Sequence, residues 1–419
     1  MKEMLIIGAG LAGLTCAKVL ADRGIDFLLL EAGNGPGGRV RTETDADGFV
    51  YDHGFQVILD SYPTLRRHVD IPGLDPCYFT SGALMVEDGE FYRIENPLRS
   101  PQLALATALT PVFSMPDRIK FATLIAGVLL QSDEELLGRA ARKTDSTTLQ
   151  FLLRVGFSDA FLYRFAQPFF GGVFLDNDLQ MSSGLFRYYL KKFALGSAFI
   201  PTTGMQALPR QLAVRCPEGS VRYGVRASRV EPFGAGFRVT TEAGEVFESG
   251  QVVLATDEPA TRRLLGLPPV ERVRSTVVVY FESAGPLYTG ATLVLPAGDE
   301  RRVRHFAQLT NVGPFAPRPF LTATVLDPGT LSDEQLAAEA AREIREAFPA
   351  AELTFKRVIR VPYALRFQPP GFAATRLESP FPGVILAGDQ VSSSSIEAAM
   401  QSGEKAAGVA LGIDLRRQR

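Results

Sequence analysis

Met4-Leu-Ile-Ile-Gly-Ala-Gly-Leu-Ala-Gly-Leu-Thr-Cys-Ala17 is the stretch on which the fold turns. A short apolar run ends on glycines at G-x-G-x-x-G spacing, Gly8, Gly10 and Gly13, and apolar residues then recur at helical intervals through Leu11, Leu14, Ala17 and Leu20. Gly24 closes that helix, and residues 25–30 read as a second apolar strand ending at Glu31. Strand, helix and strand within about thirty residues make a βαβ unit, hence a parallel sheet with helices on its faces. Gly8 permits the tight turn, Gly10 lets backbone approach a pyrophosphate, and Gly13 permits close helix–strand packing. The amides at Leu11 and Ala12 open the helix, and its positive dipole end suits phosphate. Glu31, 18 residues beyond Gly13, can accept ribose hydroxyls and would repel a 2′-phosphate. FAD and NAD both satisfy this fingerprint.

The rest of the composition narrows the class. The chain has 419 residues, 46% apolar and 21% charged, enough for two or three units sharing a large core. A net charge of −2 with scattered Lys and Arg gives no drive toward nucleic acid. Three well-separated cysteines (Cys16, Cys77, Cys216) and three histidines (His53, His68, His305) offer neither a disulfide framework nor a metal site, and fit a reducing, cytoplasmic compartment. The apolar N-terminus reads as mature strand-turn-helix rather than a signal peptide, because glycines interrupt it at functional spacing. No run of 18 apolar residues occurs. The stretch 121–130 is expected to be a buried helix, with peripheral membrane contact as the alternative.

Along the chain, helix-like apolar spacing covers 102–109, 119–130, 147–155, 161–165 and 183–195, so the first insertion is expected to be mainly helical. Alternation returns over 221–241, followed by a buried strand at 252–255. A second insertion begins with a β-rich run at 276–281 and carries a charged helix over 332–348. A strand at 384–387 and a helix over 396–411 close the chain. The expected architecture is α/β: a doubly wound, Rossmann-like dinucleotide domain from 1–65, 201–266 and 379–419, with an inserted mixed α+β substrate domain from 66–200 and 267–378.

Directly after the second strand comes Glu31-Ala-Gly-Asn-Gly-Pro-Gly-Gly-Arg-Val-Arg-Thr42, where Gly37 and Gly38 allow close backbone approach and Arg39 offers charge-assisted hydrogen bonds to phosphate. Near the end, Gly383-Val-Ile-Leu-Ala-Gly-Asp-Gln390 delivers Gly388 and Asp389 to a turn, and a serine run caps a helix of small residues. Together these segments resemble the flavin-containing amine oxidase superfamily, which includes phytoene desaturase-like and protoporphyrinogen oxidase-like enzymes. The resemblance spans the chain. Tyr51-Asp-His-Gly-Phe-Gln56 is similar to the family's segment near the flavin, Pro201-Thr-Thr-Gly-Met205 to a Gly-Gly-Met segment with Thr203 replacing one glycine, and 252–256 to the strand behind the dinucleotide. It implies noncovalent FAD held by Gly8, Gly10, Leu11, Ala12, Gly13, Glu31, Ala32, Gly37, Gly38, Arg39, Gly54, Phe55, Gln56, Val225, Ala227, Ala255, Gly388, Asp389, Ser395, Ile396 and Ala399. Val225 or Ala227 would hold adenine, Asp389 the ribityl–phosphate part, and the Ile396 N–H the flavin carbonyl.

Amine oxidases of this superfamily usually carry a lysine near the flavin on a strand of the second insertion. Ser275-Thr-Val-Val-Val-Tyr-Phe281 has none, Thr276 falls closest, and no lysine occurs from residue 193 to 355. Phe165-Ala-Gln-Pro-Phe-Phe-Gly-Gly-Val-Phe174 resembles a segment of the carotenoid and protoporphyrinogen enzymes. An apolar, isoprenoid or carotenoid-like substrate is therefore expected, oxidised or isomerised by FAD with oxygen or a quinone as acceptor. Amine oxidation, and a flavoprotein that carries lipid or pigment without turnover, are the alternatives. Candidate substrate-facing residues are His53, Gln56, Thr276 and Tyr363, with a hydrogen-bonded structural role favoured for His53. No catalytic acid or base stands out.

Overall fold

A computed structural model of the chain describes residues 2–87, 89–96, 99, 113–298 and 301–415, so the helix expected over 102–109 lies outside the described residues. Strand Lys2–Ile7 lies at the centre of a seven-stranded sheet, parallel to Phe27–Leu30 on one side and to the second half of Val246–Leu254 on the other. Val221–Arg222 and Val384–Leu386 extend the parallel part. The first half of Val246–Leu254 pairs antiparallel with Gly236–Thr241, which pairs with Ala227–Phe233. Phe27–Leu30 is buried at every residue, as strands covered by helices on both faces must be. Helices Leu11–Ala21 and Ile396–Ala410 cross against each other beside this sheet. Gly403 makes that approach possible, because a Cβ there would lie 2.0 Å from the Ala12 carbonyl oxygen.

A second seven-stranded sheet runs in the order Leu353–Arg366, Val273–Ser283, Phe320–Val325, Val303–Gln308, Leu293–Pro296, Gly82–Glu87, Glu90–Glu95. Its neighbours are antiparallel except for Leu293–Pro296 beside Gly82–Glu87. One face, through Val277, Val279, Phe281, Leu321, Ala323 and Val325, packs on Leu336, Ala340 and Ile344 of the amphipathic helix Asp333–Ala347. Period-two alternation places Thr276, Val278, Tyr280 and Thr324 on the other face. There the Tyr280 hydroxyl donates to the Asp52 carbonyl at 2.8 Å, which fixes this face against the segment leading to Gly54–Gln56.

Three expectations change. The first insertion is not mainly helical at its start. It supplies Pro76–Tyr78, Gly82–Glu87 and Glu90–Glu95, the last short and mostly exposed, with Tyr92 and Ile94 packed on the core. The short helix at 161–165 becomes Leu162–Gly171, wound as a π-helix with Pro168 inside it. Proline has no N–H and crowds the carbonyl of the preceding turn, so a wider turn suits it. Finally, helix Met115–Leu129 is not buried: only Asp117 and Val128 are, and Ile119 is 62% exposed. Its inner face packs Phe121, Leu124, Ile125 and Val128 on an aromatic cluster and lines a cavity, while its outer face keeps Met115 and Ile119 at the surface. Among the described residues no helix is long and apolar enough to cross a membrane, and no group of three or more His, Cys, Asp or Glu side chains could hold a metal.

Candidate active site

One continuous cavity of about 1280 Å³ opens against the first glycine turn and ends among aromatic side chains. Ordinary small-molecule sites measure roughly 300–1,000 Å³, so this one has room for a dinucleotide and a second occupant. At its first end lie Gly8, Gly10, Leu11, Ala12, Glu31 and Ala32. Gly8 has φ +104°, a conformation that disfavours any side chain, and its N–H donates to the Leu30 carbonyl at 2.8 Å. Gly37 donates to the Ala9 carbonyl at 2.8 Å, which lays the 37–38 segment along the turn. A Cβ at Gly10 would meet nothing within 4 Å, so the backbone there faces open space. No side chain caps the helix Leu11–Ala21, and its first amides are left without intrahelical acceptors.

Glu31 is held by the Ala9 N–H at 2.6 Å and the Gly33 N–H at 2.7 Å, one on each carboxylate oxygen. Val225 and Ala227 line the cavity beyond it. The Val225 N–H is committed to the Glu31 carbonyl at 2.8 Å and is not available to a base. Gly13 does not line the cavity, which corrects its place among cofactor-binding residues. A Cβ there would lie 1.9 Å from the Gly8 carbonyl oxygen, so Gly13 serves the packing of helix on turn.

Midway, the two ends of the chain meet. Arg39 donates to Asp389 Oδ2 at 2.6 Å and to the Ala364 carbonyl at 3.0 Å, so its charge is matched by Asp389 rather than left open toward a phosphate. The other oxygen, Asp389 Oδ1, is buried with no hydrogen-bond partner among the described residues. Tyr363, expected as a wall of the substrate site, does not line the cavity: its hydroxyl lies 3.4 Å from Asp389 Oδ2 and its ring 5.1 Å from the Arg39 guanidinium. Gly38, Gly388, Ala255, Ser395, Ile396 and Ala399 line this part. The Ser395 side chain accepts the Ala398 N–H at 3.1 Å and caps the closing helix, which begins at Ile396.

These observations test the fit of a dinucleotide cofactor. An uncapped helix N-terminus, open space at Gly10, an orphaned buried carboxylate oxygen that would accept a hydroxyl, and a second helix starting at the cavity wall all suit it.

Beyond, Gly54, Phe55 and Gln56 line the cavity. Gln56 donates to the Arg39 carbonyl at 3.1 Å, and its Oε1 is buried with no partner among the described residues. His53 lines the wall but is tied to Glu43 Oε1 at 2.7 Å, a structural role. Burial lowers its pKa, outweighing that hydrogen bond. Arg366 forms a buried ion pair with Glu258 at 3.2 Å.

Thr276 lines the cavity, and with it come Thr324 and His305, which sequence reasoning left without a role. His305 is 4% exposed, lies 5.0 Å ring to ring from Phe55, and burial pushes its pKa down to about 3. One available signal was a run of polar residues, Arg304, His305 and Gln308, within a strand buried at every position. The far end of the cavity is aromatic, with Phe113, Phe121, Phe165, Phe169, Phe174 and Phe193 on its walls, whereas Phe157, Phe161 and Phe186 are core.

Against this geometry, known proteins show clear likenesses. The model of the family described as flavin containing amine oxidoreductase matches residues 11–411. The 15-cis-phytoene desaturase of Arabidopsis thaliana is 33% identical over 129 residues, 29% of this chain and 23% of that protein. An L-amino-acid oxidase of Echis ocellatus is 25% identical over 309 residues, 70% of this chain and 59% of that one. The matches thus span about a quarter of the desaturase and under two thirds of the oxidase. Among solved structures, a candidate protoporphyrinogen oxidase from Exiguobacterium sp. 255-15 superposes with a TM-score of 0.73 at 20% identity, covering 98% of this chain and 99% of that one, which shows a shared fold. The chain is an enzyme of the flavin-containing amine oxidoreductase family.

Proposed function

We propose that this chain is an FAD-dependent oxidoreductase acting on an apolar, isoprenoid or carotenoid-like substrate, as a desaturase or isomerase. The observation that carries the reading is the continuity of the cavity, which runs from the dinucleotide end straight into a chamber walled by phenylalanines. A hydride donor held there would be positioned by the shape of an apolar wall, as hydride transfer from carbon requires. FAD, when bound, supplies hydride acceptance; the residues of this chain supply placement. Leu11 and Ala12 amides would hold the pyrophosphate, Glu31 the ribose, Asp389 Oδ1 a ribityl hydroxyl, and the Ile396 amide the flavin carbonyl. The two sheets divide the work, one for cofactor and one for substrate.

Binding is noncovalent in this reading, and none of the three cysteines lines the cavity. Oxygen or a quinone accepts the electrons, because the sequence has no second G-x-G-x-x-G after a strand for a nicotinamide partner. The exposed Met115, Ile119 and Leu130 on and beside the cavity-lining helix support peripheral membrane contact as the route of a lipophilic substrate. Absence of a lysine on Val273–Ser283 speaks against amine oxidation.

Anaerobic addition of liposome-delivered isoprenoids, from squalene to geranylgeraniol and phytoene, tests the proposal. Bleaching of the flavin absorbance by these, and not by a polyamine or aryl amine, is the expected result. Bleaching by the amines alone would replace the reading with amine oxidation. No change with either class would exclude desaturation, and recovery of the isoprenoids chemically and geometrically unaltered would then favour a non-catalytic carrier over an isomerase.

A further inference from the structure

We propose that Thr276, His305 and Thr324 form a neutral hydrogen-bonding subsite that recognises an uncharged oxygen function, a hydroxyl or ketone, on an otherwise apolar substrate. The proposal rests on the apolar-substrate reading above and narrows it. The three side chains share one face of the second sheet. Thr324 is paired with Val278 on one neighbouring strand and with His305 on the other, and Thr276 lies two residues from Val278. All three line the cavity and all are at least nine-tenths buried, at 5%, 4% and 2% exposure for Thr276, His305 and Thr324.

What they have in common is unmet demand. Thr276 Oγ1, Thr324 Oγ1 and both ring nitrogens of His305 are buried without a hydrogen-bond partner among the described residues. A buried polar atom left unpaired is destabilising, because it has given up its water partners for nothing. Gathering such atoms at one spot in an aromatic cavity is costly unless a ligand satisfies them. Each threonine hydroxyl can donate and accept, and with Nδ1 covered by Gly172 the neutral imidazole offers Nε2, a donor or an acceptor according to tautomer. That set matches a hydroxyl or carbonyl and gives a hydrocarbon nothing.

The subsite is also built to be neutral. Burial keeps the His305 imidazole uncharged at ordinary pH. The nearby charges on the cavity wall are committed elsewhere: Arg274 pairs with Asp176 at 2.6 Å, and Arg366 with Glu258 at 3.2 Å. An ammonium or carboxylate on the substrate would meet no free counter-charge from these groups. The imidazole is held in position from two sides, by Phe55 and by Gly172, where a Cβ would lie 2.3 Å from His305 Nδ1. This wedge is one reason the π-wound segment hands over to the next turn on a glycine.

The test compares two ligands of one carbon skeleton on the FAD-loaded protein: geranylgeraniol and the C20 hydrocarbon that lacks its hydroxyl, both delivered in the same detergent. Binding is read from the perturbation of the flavin absorbance, with no turnover needed. Expected is half-saturation by the alcohol at about tenfold lower concentration than the hydrocarbon. In the volume-conserving Thr276→Val/Thr324→Val double variant, and in His305→Phe, that ratio falls toward one. The wild-type comparison stands even if a variant fails to fold. Equal affinity for the two ligands in the wild type would overturn the subsite while leaving the apolar-substrate reading intact, as would a ratio that survives in the folded double variant. Failure of both ligands to perturb the flavin of a fully loaded protein would overturn both.

Discussion

Burial holds the His305 imidazole neutral down to about pH 3, whereas in the unfolded chain it titrates at its ordinary 6.5. Between those values the unfolded chain binds a proton that the folded chain refuses. The associated stability is therefore fully present above about 6.5, is lost as the pH falls toward 3, and is gone below that. The slope is about 1.4 kcal/mol per pH unit for one proton. Chemical denaturation of wild type and His305→Gln across this range measures it, and the variant is expected to lose one proton's worth of acid sensitivity; identical pH profiles would contradict a buried neutral imidazole. The histidines also show what single residues disclose. His53 adjoins a recognisable motif, yet its partner Glu43 ties it into a hairpin only ten residues deep. His305 adjoins none and reaches the cavity, because its placement depends on which face of a tertiary sheet it occupies. Local spacing does not encode that register.

At the scale of elements, caps and close approaches decide which segments were legible. Ser332 with Gln335, and Thr147 with Gln150, form capping boxes at the starts of helices read from the sequence. The helices Leu11–Ala21, Ser183–Leu195 and Asp333–Ala347 follow apolar spacing closely. Strands such as Glu90–Glu95 escaped notice because two alternate apolar residues, Tyr92 and Ile94, in a short and mostly exposed run are a weak period-two signal. The two helices that present their N-termini to the cavity are packed on each other through Gly403 against Ala12. Gly403→Ala would drive a methyl group into backbone, so the helices must separate. A loss of about 1–3 kcal/mol in denaturant stability, together with weaker FAD retention, is expected. An unchanged denaturation midpoint would show that the crossing has slack.

On the scale of the whole molecule, a glycine turn near the start and a Gly-Asp turn near the end become one site, joined by Arg39 and Asp389 across 350 residues of chain. The doubly wound sheet and its return after two insertions were legible, because each piece carries its own glycines and apolar runs. The order of strands in the second sheet was not, since mixed pairings between distant segments leave no local trace. The fold places both turns, the orphaned Asp389 Oδ1 and two helix N-termini around one cavity. The central claim is that this cavity binds FAD reversibly. Purified protein loaded with FAD, desalted and then acid-precipitated tests it most directly. The account predicts about one FAD per chain, released intact into the supernatant. Protein that stays colourless after loading, or flavin that remains with the precipitate, would contradict it.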